Sequence, residues 1–287
     1  MAPNPPAPPG TKDTDSGAGL SLPRQAVART IGRLQSGYQR DVPWAVASVA
    51  RLRREAGRDA HVSPTAWGLD HLETLAELRE EQRVADAEQG SDGSISPAYF
   101  SSSAYTRRQE QERREDTAVH VAVTLWALHQ QSLRDEPMHL AGWSLGRSVR
   151  RLAHGKTGIR DSGTATGDSG TADEIRAAER VENASETVRR RFVRIGAASD
   201  TDVLATRLRE MALLLRSARI PLDYTLLADQ LLLWQDENRR DDVRRGWGRD
   251  FHRHHRSSPQ ARPDGTDGTL GTEIAPTEDL DAADADS

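Results

Sequence analysis

Apolar residues in this chain recur every three or four positions and almost nowhere every two. Val42, Val46, Val49, Leu52 and Ala56 share one side of a helical wheel that turns about 100° per residue. The spacing returns in Val119, Val123 and Trp126, in Leu145, Val149 and Leu152, and in Val243, Trp247 and Phe251. β-Branched residues show no convincing alternation and aromatics are few, so strands are not expected. The pattern predicts an all-α protein.

Capping chemistry places the helices. The first covers 23–36, and the second opens with Asp41 as N-cap before Pro43 and runs to Ala56 ahead of Gly57. Ser63-Pro64 starts another, a long helix spans about Arg107 to Arg134, and a shorter one spans about Gly142 to Ala153. Four more are expected at 173–196, 200–218, 222–235 and 239–252, with Asp200 and Asp223 as N-caps and Pro221 sharpening a turn. Residues 84–105 read as an exposed loop, and the Gly/Ser/Thr-rich stretch 154–172 reads as a linker. The expected architecture is therefore two helical bundles, 21–153 and 173–256, joined by a flexible linker. Disordered tails are expected at 1–20, which is proline-rich, and at 257–287.

The C-terminal tail holds eight acidic residues against Arg262 alone, a net charge of −7. The whole chain carries −5, so residues 1–256 carry +2. A solvated tail is the simple reading; a tail that shields basic faces from non-specific nucleic acid is the sharper one. The absence of cysteine excludes disulfides and thiolate metal sites and fits a reducing cytoplasm. No secretory signal or membrane-length apolar run is present, so no membrane association is expected.

The basic residues are the functional clue. Two of the 39 are lysine, Lys12 and Lys156, and 37 are arginine. Guanidinium is planar, permanently charged and forks onto phosphate oxygens. Arg51, Arg54 and Arg58 lie about 140–200° round the helix from Val49, opposite the apolar side. Arg147, Arg150 and Arg151 oppose Leu145, Val149 and Leu152. Arg189, Arg190, Arg191 and Arg194 surround Val188, Phe192 and Ile195, and Arg245, Arg249 and Arg253 recur every fourth residue. Arg53 instead falls among apolar residues, where an internal ion pair or the rim of a groove is expected. Outward stripes on several helices suit a nucleic-acid backbone; a solvated arginine surface is the bland alternative.

Other motifs are weaker. Gly142-Trp143-Ser144-Leu145-Gly146 fits the G-x-S-x-G nucleophile elbow, but that motif needs a strand feeding a tight turn. Without one, Gly142 and Gly146 are assigned to close helix packing. His120 and His129 on the long helix read as structural. His252, His254 and His255 read as a basic end, since no second ligand cluster accompanies them. No enzyme, cofactor or metal is expected.

The order of several motifs resembles a known family. These are Leu52-Arg53-Arg54, Ala127-Leu128-His129-Gln130-Gln131-Ser132, and Ser144-Leu145-Gly146-Arg147-Ser148-Val149-Arg150-Arg151-Leu152. Arg190-Arg191-Phe192, Ile220-Pro221-Leu222-Asp223-Tyr224 and Val243-Arg244-Arg245-Gly246-Trp247-Gly248-Arg249-Asp250-Phe251 follow. Together they resemble CasB, the small subunit of the type I-E CRISPR surveillance complex Cascade, over roughly residues 25–252. His252 departs from the pattern, standing where tyrosine is expected. The resemblance implies a non-catalytic subunit in antiviral defence. Its implied partners are the other Cascade subunits including a second copy of itself, the guide RNA, and target DNA with its displaced strand.

Arg53, Arg54, Arg147, Arg151, Arg190, Arg191, Arg245 and Arg249 are the candidate nucleic-acid-binding residues. An alternative class is a helical adaptor whose arginine faces bind acidic protein surfaces without nucleic acid.

Overall fold

The computed structural model describes residues 20–63, 69–89, 102–159 and 185–253. These residues form α1 (Leu22–Gln39), α2 (Pro43–Glu55), α3 (Asp70–Gln89), α4 (Ser102–Gln130), α5 (Leu145–Ala153), α6 (185–196), α7 (Thr201–Ser217), α8 (Tyr224–Trp234) and α9 (Glu237–His252). No strand forms among the described residues; an isolated parallel bridge joins His139 to Leu222. None of the described helices is long and apolar enough to cross a membrane.

Asp200 and Asp223 cap α7 and α8 as the sequence predicts, accepting the amides of Val203 at 2.8 Å and Leu226 at 3.0 Å. Asp41 does not cap α2. It adopts φ 58° in a tight turn, where the Val42 amide returns to the Gly37 carbonyl at 2.9 Å. Aspartate tolerates this left-handed backbone better than most residues, and its carboxylate pairs with Arg134. Val42 takes the cap position without a side-chain bond.

The expected loop at 84–105 is helical at both ends, because α3 continues to Gln89 and α4 begins at Ser102. Alanine, glutamate and glutamine between 85 and 89 favour helix, and the breakers begin only at Gly90. Residues 90–101 lie outside the described residues. So do 64–68, where the Ser63-Pro64 helix start is expected, 160–184, which take in most of the expected linker and the first part of the helix expected at 173–196, and nearly all of both tails.

α4 is the central element. Every residue from Ala122 to Gln130 is buried, the signature of a helix enclosed on all sides. It packs against α1, α2, α3, α7 and α8. α8 is similarly enclosed, by α1, α4 and α9, and buries Tyr224, Leu227, Ala228, Leu231 and Trp234. Consequently Val27 and Ile31 of α1, Trp126 of α4, Leu215 of α7 and Trp247 of α9 belong to one buried cluster. The packing draws no clear line between two bundles, because α8 carries apolar residues for both neighbourhoods.

The irregular segment 131–144 is held by the side-chain amides of the buried Gln130 and the half-buried Gln35. Gln130 donates to the Glu136 carbonyl at 2.9 Å and accepts the Met138 amide at 2.9 Å. Gln35 accepts the His139 amide at 2.9 Å. Buried backbone groups outside helices require such partners. Backbone bonds from Leu222 to Met138 at 3.0 Å and from Leu140 to Leu222 at 3.3 Å then tie the segment to the entrance of α8.

Candidate nucleic-acid interface

Arginine side chains fall into two populations. The first ties helices together. Arg79 of α3 reaches Glu115 and Asp116 of α4, each at 2.9 Å, and donates to the Glu112 carbonyl at 2.8 Å. Arg24 joins α1 to Asp229 of α8 at 3.2 Å, and Arg33 joins α1 to Asp70 of α3 at 2.8 Å. Arg244 donates to the Gly196 carbonyl at 2.7 Å and lies 5.0 Å over the Trp234 ring.

The second population is exposed or half-buried at the surface and includes the eight candidates, in three places. Arg53 and Arg54 occupy the last turn of α2. Arg53 is half-buried and makes no ion pair with a described residue, so of the two environments expected for it the internal pair is not found among the described residues. The buried carboxylate there is Glu55, which pairs with Arg58 at 3.5 Å and accepts the Ser63 hydroxyl at 2.8 Å.

Arg147 and Arg151 lie on α5 beside Trp143, a residue with no role evident in the sequence. The guanidinium carbons sit 4.2 Å and 5.9 Å from the indole centre, within cation–π range. Arg147 also donates to the Gly142 carbonyl at 3.0 Å, and Arg151 to that of Thr157 at 3.2 Å. Burial, and next the Arg151 charge, push the Arg147 pKa below its ordinary value. The spacing of Trp143, Arg147 and Arg151, four residues apart, was the available signal for this rack.

Arg190 and Arg191 lie on α6, and Arg245 and Arg249 on α9. Arg190 pairs with Glu186 at 3.0 Å, Arg191 with Glu210 at 3.9 Å, and Arg245 with Asp242 at 2.6 Å. These partners are solvent-exposed, so the pairs are weak and exchangeable. Among the described residues no acidic side chain pairs with Arg54, Arg189 or Arg249.

α5 rests directly on α9. A Cβ on Gly146 would lie 2.6 Å from the Phe251 nitrogen and closer still to the Trp247 carbonyl oxygen, so glycine permits this contact. Gly142 has a different duty from the packing role expected of it: nothing lies near its Cβ direction, but its φ is 77°. Ser144 is the N-cap of α5, accepting the Arg147 amide at 3.4 Å, and no strand precedes it.

The helix histidines are interior partners. His129 Nδ1 lies 2.8 Å from the Tyr224 hydroxyl, and His120 Nδ1 lies 3.0 Å from His71 Nε2. Burial lowers the pKa of both His129 and His71 to about 3. His252 is exposed at the end of α9, and His254 and His255 lie outside the described residues.

Residues 48–252 match the family model described as CRISPR-associated protein Cse2. The chain belongs to the Cse2 family. This is the family, also called CasB, of the small subunit of type I-E Cascade, a structural and generally non-catalytic subunit. The crystal structure of CasB from Thermobifida fusca is similar at 32% identity, covering 82% of this chain and 100% of that one, with a TM-score of 0.54. A CRISPR-associated Cse2-family protein from Thermus thermophilus is 20% identical, covering 80% of this chain and 97% of its own, with a TM-score of 0.44. Comparison with curated proteins finds no match. In the Cse2-like motifs, Gln130 holds the 131–144 segment, Ser144 and Asp223 cap helices, and Gly146 seats α5 on α9.

Proposed function

We propose that this Cse2-family chain is a non-catalytic Cascade subunit that steadies guide RNA and target DNA, including the displaced strand, through phosphate contacts. The eight candidate arginines would make these contacts or line the surface that meets the assembly, which includes a second copy of the chain. The observation that carries the reading is the set of outward arginines that no acidic side chain among the described residues neutralises: Arg54 on α2, Arg147 backed by Trp143 on α5, and Arg249 on α9. Such a set supplies charge and forked donors without base-edge readout, which suits a protein that follows a nucleic-acid backbone.

Charge reversal at Arg54, Arg147 and Arg249 in the reconstituted assembly tests the proposal. Target-DNA retention should fall, most at moderate salt, with helicity intact. Unchanged retention across salt concentrations would leave the arginine faces to acidic protein surfaces instead.

A further inference from the structure

An open groove of about 350 Å³ runs between α6 and α9. Phe192, Val193 and Gly196 line it from α6, and Trp247, Gly248 and Phe251 from α9. The Phe192 and Phe251 rings stack at 5.2 Å with 26° between their planes, and Trp247 is almost fully buried beneath. Val193 is 68% exposed although it lies on this apolar wall. Two glycines keep the groove open: a Cβ on Gly196 or Gly248 would meet nothing within 4 Å. Glycine weakens a helix interior. At Gly146 a close approach to α9 explains it, but no such contact explains Gly248.

The surroundings are cationic. Arg189 and Arg244 and the exposed His252 stand at the groove, and among the described residues none that lines it is acidic. Arg244 is committed to the Gly196 carbonyl. Arg189 has no acidic partner among the described residues. Neither does Arg249, which lies about 100° round α9 from Gly248.

We propose that this groove binds a nucleobase of single-stranded nucleic acid, an inference that rests on the phosphate-binding reading above. Single strands are held where a basic surface follows the backbone and aromatic side chains receive unstacked bases. Here the half-buried Phe192 and Phe251 supply aromatic surface over the buried Trp247, while Arg189 and Arg249 meet the flanking phosphates. A duplex keeps its bases stacked inside and has none to offer. An aliphatic acidic peptide would satisfy the charge but would use the aromatic wall less well.

The test is titration of the full chain at low salt with labelled oligothymidine and with an abasic oligonucleotide of equal phosphate number. The wild type should prefer oligothymidine. Gly248→Leu fills the groove and should cut that affinity on the order of fivefold, the worth of about one base stack, while leaving abasic binding unchanged. Circular dichroism checks that the variant folds. Independently of any variant, iododeoxyuridine in the strand should photocrosslink to peptides carrying Phe192 or Phe251.

Equal wild-type affinity for the two strands, or crosslinks confined to other helices, would overturn the groove assignment alone. Binding to neither strand would overturn the phosphate reading as well. Capture of a leucine-rich acidic peptide, abolished by Gly248→Leu and without base preference, would overturn the proposal in favour of a protein occupant.

Discussion

The Asp223 carboxylate accepts the Gly142 amide at 2.8 Å while it caps α8 through the Leu226 amide at 3.0 Å. The Asp223 amide in turn donates to the Trp143 carbonyl at 2.7 Å. One residue thus fixes both the start of α8 and the turn that presents Trp143, Arg147 and Arg151.

Replacing that residue should loosen both elements. Asp223→Ala removes a cap, worth about 1 kcal/mol, and strands the part-buried Gly142 amide, at a further cost of about 1–3 kcal/mol. Urea denaturation should show a loss of about 2–4 kcal/mol. Burial alone would raise the Asp223 pKa, but hydrogen bonds from Thr225, Leu226 and Gly142 outweigh it and hold the pKa below the ordinary carboxylate value. A depressed carboxylate stabilises the fold above its unfolded pKa and loses that contribution as pH falls through the folded value. The pH dependence of stability below about 4 should therefore be shallower in Asp223→Asn than in wild type.

Gly146 and Gly248 should respond oppositely to alanine. At Gly146 the new Cβ collides with the backbone of α9, so α5 must shift, costing about 1–3 kcal/mol or more. At Gly248 the Cβ enters open space, and helix propensity should add up to about 1 kcal/mol. Thermal melts of the two variants, side by side, check this.

The buried histidines set the acid limit. His71 and His129 have folded pKa values of about 3, far below the ordinary 6.5. A histidine kept neutral inside stabilises the fold above its unfolded pKa. As pH falls below about 6.5 the unfolded chain takes up protons the folded chain refuses, so stability declines progressively toward pH 3. Unfolding at pH 5 should take up about one proton for each such histidine, and His129→Phe should remove one of them. Calorimetry in buffers of different ionisation enthalpy measures that uptake.

Each phosphate contact leaves a salt signature. Arg54→Gln and Arg249→Gln should each lower the slope of log affinity against log salt by about 0.7 on single strands or 0.9 on duplex. Arg79→Gln breaks a tie between α3 and α4, so it should lower the melting temperature and leave the slope unchanged.

Much of this fold could be read from local chemistry. Asp200 and Asp223 announced their helices because an N-cap is a short-range device. Asp41 misled for the same reason: its side chain suits a cap, but the Val42–Gly37 bond forces it into the left-handed region. The single core could not be foreseen from periodicity, since α8 is apolar on more than one side and only contact shows what covers it. Gln35 and Gln130 gave no signal either, because their partners are backbone groups of a distant irregular segment. At the candidate site, the outward faces of Arg54 and Arg249 followed from helix geometry. Which arginines would be consumed by ion pairs depended on neighbours such as Glu115 and Asp229, far away in sequence.

The most direct measurement is to isolate the tagged chain from its own cells under mild salt and analyse what comes with it. RNA of one discrete length should accompany it together with the other Cascade subunits, and captured target DNA should be lost as salt rises. Recovery of acidic proteins alone, with no RNA, would contradict the proposed function.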